Sequence, residues 1–136
     1  MDYQPRGKYD QRQQRRTRSP QPVILYDLDL EAQIIGAVLN ENRNWNRCAS
    51  LTPEMFSDYL YSQLWHTISE RLAQGKSVNP GSLGGAVNAI TEDQNGRQIL
   101  SDLSAYAETI DQEAIPDAVS RIMELSQWRK LYQCKQ

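Results

Sequence analysis

Histidine and cysteine are scarce in this chain, with one and two copies respectively in 136 residues. A single imidazole, His66, and two thiols far apart in sequence, Cys48 and Cys134, cannot assemble a metal site. The thiols have no CxxC spacing, so they read as isolated and reduced, and nothing supports a disulfide between them. No apolar run reaches transmembrane length, and the polar start Met1-Asp2-Tyr3-Gln4 has no signal-peptide pattern. A cytoplasmic location with no membrane contact is therefore the expectation. The acids are scattered without a matched pair for acid–base work, and no Ser or Cys sits in a nucleophile motif. Gly75-Lys76-Ser77 imitates the end of a phosphate-binding loop. The position five residues before Gly75 is Glu70 instead of glycine, and a helical pattern precedes it where a strand is needed. The sequence thus predicts no catalytic residue, no cofactor and no metal.

Aliphatic residues are nearly missing from positions 1–22, which are rich in Gln, Arg, Pro and Tyr. Such a segment buries too little apolar surface to offset its ordering entropy, so it is expected to be a disordered tail. It carries Arg6, Lys8, Arg12, Arg15, Arg16 and Arg18 against Asp2 and Asp10, a net of +4. The rest of the chain has nine basic and fifteen acidic residues, a net of −6. Arg12, Arg15, Arg16 and Arg18 are candidate phosphate contacts for a nucleic acid. The same segment also suits a solubilising tail or a flexible tether, the commoner role of a run of charge.

From residue 23 onward the pattern is helical, and a folded domain over 23–136 is expected. Val23 to Leu28 form an apolar lead-in with no partner strand in sight, read as an extended segment docked on helices. Leu30, Ile34, Ile35, Val38 and Leu39 then trace one face of a helix, with Asp29 as its cap and Glu31 favoured by its dipole. Gly36 in mid-helix points to a close backbone approach. A short helix carries Trp45 and Cys48. Thr52-Pro53-Glu54 has the signature of another helix start, and Phe56, the only phenylalanine, is expected in the core. Leu60, Leu64, Trp65, Ile68 and Leu72 form a stripe closed by Gly75. Asn79-Pro80 opens a helix reaching about Ile90, which Gly81, Gly84 and Gly85 weaken. Arg97 to about Ala107 forms the next. The last begins near Ile115 and runs toward Tyr132, with an apolar set wider than one packing face requires. The prediction is an all-α, compact bundle of six to seven helices.

Taken together, these residues resemble the N-terminal domain of DnaB-type replicative helicases. The family's opening segment, similar to LEAEQAVLGALL, corresponds to Leu30 through Leu39. Its L-x-P-E-D-F corresponds to Leu51-Thr52-Pro53-Glu54-Met55-Phe56, and its helical IF pair to Leu64-Trp65. Gly75 through Leu83 resembles G-x-P-I-D-P-x-T-L. Ala118 to Glu124 and Arg129-Lys130-Leu131 echo the late Y-A-x-I-V-R-E…R-x-L. The likeness spans about residues 28–131. It departs at Gln33, where the family has an acid, at Tyr61, where it has a histidine, and at Asn79, where it has an aspartate.

The resemblance implies a non-catalytic assembly domain: one that builds the collar of a hexameric helicase and docks primase or a loader. Helicase subunits, primase or a loader are then the expected partners, along with self-association. The last helix resembles the first arm of the helical hairpin that leads to the motor in that family. Ile122, Leu125, Trp128 and Tyr132 on this helix are candidate interface anchors, although the same residues would also serve core packing. Two other readings stand beside this one. A stand-alone phage or mobile-element protein could recruit, load or inhibit a host helicase by mimicking the domain. A nucleic-acid-binding module could act through the arginine tail. ATP hydrolysis is not expected of this chain alone, whereas a full-length parent would be an ATP-dependent helicase.

Overall fold

The computed structural model describes residues 24–135, the last two by backbone alone. Six α-helices and several 3₁₀ turns make up the regular structure of the described residues, with no strand among them, in agreement with the all-α expectation. The helices are α1 (Leu28–Asn40), α2 (Trp45–Cys48), α3 (Tyr59–Ala73), α4 (Pro80–Thr91), α5 (Gly96–Ala105) and α6 (Ile115–Lys135). None is long and apolar enough to cross a membrane.

Helix α1 lies at the centre. Ala32 and every residue from Ile34 to Leu39 are buried. Its cap is Asp27 and not Asp29. The Asp27 backbone is extended and its carboxylate accepts from the Leu30 amide at 3.0 Å, which places Asp29 inside the first turn, where an acid favours the dipole. Gly36 meets the backbone of α5. A Cβ at this position would lie 2.2 Å from the Leu103 carbonyl oxygen, so the close approach read from the sequence is a crossing of α1 and α5.

The core is centred on Trp65 of α3. Its ring lies 4.9 Å from the rings of both Trp45 and Phe56, and its indole N–H donates to the Leu51 carbonyl at 3.0 Å. Phe56 is buried as expected. The helix expected after Thr52 is only a 3₁₀ turn, Pro53–Met55, and Thr52 makes no side-chain cap bond. Phe56 is extended, because entering the core carries the chain out of the turn before a second one can form.

Asp58 caps α3 by accepting from the Tyr61 amide. The helix closes at Gly75, whose φ is +79. The Gly75 amide donates to the Leu72 carbonyl and the Lys76 amide to that of Arg71, the paired pattern that a left-handed residue allows. Asn79 and Ser82 form a reciprocal capping box at the start of α4. Helix α5 ends at Ala105 and tightens into a 3₁₀ turn over Tyr106–Thr109. Helix α6 packs on α1, α2 and the Pro53–Met55 turn through Ile115, Ala118, Val119 and Ile122, all buried.

Candidate protein-interaction surface

Helix α6 is 21 residues long, and its far end outruns the core. Ile122 and Leu125 are 2% and 5% exposed, but Trp128, Leu131 and Tyr132 are 46%, 52% and 40% exposed. Three large apolar side chains in one helical turn and a half are thus left in water, a concentration that marks an interaction site when contiguous.

Contiguity comes from the other end of the domain. Residues 24–27 form no regular structure and lie alongside α6. Arg129 holds them there by donating from Nη1 to the Leu25 carbonyl at 2.7 Å. Its Nη2 donates to the Met55 carbonyl, also at 2.7 Å. One guanidinium, with its rigid fork of donors, therefore ties two irregular segments to α6. The lead-in read as docked on helices does dock, but by this carbonyl; Ile24, Tyr26 and Leu28 remain exposed. Between this strap and α6 runs a groove of about 290 Å³, lined by Ile24, Leu25, Arg121, Leu125, Trp128 and Tyr132.

Leu125, Trp128 and Tyr132 therefore meet at one surface, with Leu125 on the floor. Ile122 does not line the groove and packs in the core instead. Ile24 and Leu25, which form the opposite wall, are not among the interface anchors expected from sequence. Their one sequence signal is an apolar run placed just before a helix cap, where a polar linker would be ordinary. Arg12, Arg15, Arg16 and Arg18 lie outside the described residues.

Among the described residues no three His, Cys, Asp or Glu side chains cluster as a metal site. His66 is exposed and faces Glu70 at 3.4 Å, one turn along α3. Burial pushes the Cys48 thiol up to about 12 against a smaller opposing pull from Arg47, so it is not a nucleophile near neutrality. Gly75-Lys76-Ser77 lies in the exposed turn after α3.

Glu31 is the one buried carboxylate of the described core, 2% exposed. Both its oxygens accept from the Ser57 amide at 3.1 Å, and one also accepts from the Ser57 hydroxyl at 2.7 Å. It thereby joins the first turn of α1 to the residue preceding the cap of α3. Its role is structural, and it faces none of the groove.

The family model for the DnaB-like helicase N terminal domain matches residues 23–124, well over half of the chain. Among curated proteins no match was found.

Proposed function

The chain belongs to the DnaB-like helicase N-terminal domain family, and from that premise we propose that it acts in replication through contacts made by α6 and the strap. As a member of that family it is a helicase-associated assembly domain, and the matched region is the non-catalytic part of such helicases. The proposed finer role is to associate with further copies in a collar and to offer a docking face to primase or a loader. The observation that supports it is the apolar groove, with Trp128, Leu131 and Tyr132 exposed together beside it. Exposed aromatics beside an apolar groove suit anchors in an interface, where Trp and Tyr dominate binding energy. A domain boundary near residue 23 belongs to the same proposal.

The test is the molar mass in solution over a range of concentrations. Association is expected, and Trp128→Ala combined with Tyr132→Ala should weaken it by about tenfold or more, the scale of a lost hot spot. Tyr59→Ala serves as the control, since Tyr59 is exposed but does not line the groove. A chain that stays monomeric at every concentration would count against self-association. Pull-down with the cognate helicase and primase separates the partners. Capture of helicase by a strictly monomeric chain would favour a protein that recruits, loads or inhibits the helicase in trans.

A further inference from the structure

A second groove, of about 530 Å³, opens between the start of α1 and the start of α6. Leu30, Ile110 and Ala118 supply apolar lining, and Asp27, Asp111 and Asp117 give it a negative rim. Arg121 also borders it, but its guanidinium is paired with Glu124. Among the described residues the Asp111 and Asp117 carboxylates make no ion pair and accept no hydrogen bond. The groove thus combines an apolar floor with two carboxylates that have no cation among the described residues.

We propose that residues 8–18 of this same chain dock in that groove, setting Lys8, Arg12, Arg15, Arg16 and Arg18 against the Asp rim. Charge is the first argument. The tail bears +4 and the remainder of the chain −6, and this groove is an acidic concavity with an apolar floor, along which arginine stems can lie while their heads reach the rim. Connectivity is the second. The strap that ends in Asp27, itself part of the groove, begins at Ile24, six residues after Arg18. At roughly 3.3–3.6 Å per extended residue, the connecting chain reaches about 20 Å from Ile24. Exposed ion pairs are weak one at a time, but so short a tether holds the tail at an effective concentration on the order of millimolar. The contact is salt-sensitive, and it occupies the arginines that would otherwise meet an external polyanion. The inference does not depend on the groove beside Trp128 or on the replication reading.

Tryptic cleavage of the intact protein at Arg12 to Arg18 reads the contact directly. At low salt, Asp111→Asn combined with Asp117→Asn should speed this cleavage by about threefold or more, the scale of losing two weak ion pairs. Both positions are exposed, and unchanged circular dichroism would show that the variant is folded. Raising the salt should bring the unsubstituted protein to the variant's rate. Equal rates at low salt would overturn the proposal. Lys8 is the only lysine in the tail, so zero-length carbodiimide coupling distinguishes whose tail is bound. A Lys8 link to Asp111 or Asp117 with a yield independent of protein concentration is the expected result. A yield that rises with concentration would assign the groove to a second copy's tail and overturn docking within one chain.

Discussion

Glu31 shows how one residue serves two elements. Its place in the first turn of α1 suits the helix dipole, and that much is visible in the sequence. The sequence hides the second half, because Ser57 is 26 residues away and belongs to no periodic pattern. Glu31→Ala would leave the Ser57 amide without its partner. A loss of about 1.5–3 kcal/mol in urea unfolding is expected, the range for a hydrogen bond to a charged group. Gln33 has a similar explanation. It stands where the related pattern has an acid, and its amide donates to Thr109 Oγ1 at 2.9 Å. The Thr109 hydroxyl itself donates to the Tyr106 carbonyl at 2.7 Å, so a carboxylate at position 33 would meet only lone pairs. Cys48 makes a prediction of another kind. With its thiol raised to about 12 by burial, it stays protonated at pH 8 and shielded from reagent. Iodoacetamide should label it slowly in the native protein and quickly in urea, as read by peptide mapping. Rapid native labelling would contradict the burial.

At the scale of elements, local signals were the legible ones. Asn79-Pro80, Gly75 and the stripe from Leu60 to Leu72 each act through neighbours within one turn, and the helices they delimit are present. Thr52-Pro53-Glu54 carries equally good local signals and yields one 3₁₀ turn. There the burial of Phe56 beside Trp65 outweighs local preference, and no window of sequence contains that contact. Gly36 falls between the two cases, since its presence advertises a close approach but not the partner. Gly36→Ala gains about 1 kcal/mol in helix propensity, yet its Cβ would lie 2.2 Å from a backbone oxygen of α5. Backbone cannot rotate aside as a side chain can, so a net loss of about 1–3 kcal/mol is expected, the cost of overpacking. A variant with an equal or higher melting temperature would show that α1 and α5 can separate freely.

At the scale of the whole molecule, the candidate surface is assembled from distant parts of the chain. Trp128 and Tyr132 stand out in a sequence as apolar excess on one helix, but the opposite wall comes from Ile24 and Leu25, more than a hundred residues earlier. What joins the walls is Arg129, a residue whose type suggests solvent or a carboxylate, and which here donates to two main-chain carbonyls. Backbone acceptors carry no sequence identity, so contacts of this kind cannot be read from composition or spacing. Ile122 illustrates the converse. It shares the apolar stripe of α6 with Leu125, yet it packs among the core residues and lines no part of the groove.

The clasp between Leu25 and Arg129 also has a topological meaning. Positions 25 and 129 are in contact across 104 residues of chain, so the described residues are close to a ring that has been cut once, and the place of the cut is not what defines the fold. Opening it elsewhere is the direct test. A circular permutant that joins residue 135 to residue 24 through a short glycine linker, with new ends between Lys76 and Ser77 in an exposed turn, should retain the helical circular dichroism and cooperative unfolding of the original. Loss of cooperativity would mean that the order of the helices along the chain, and not only their packing, is required.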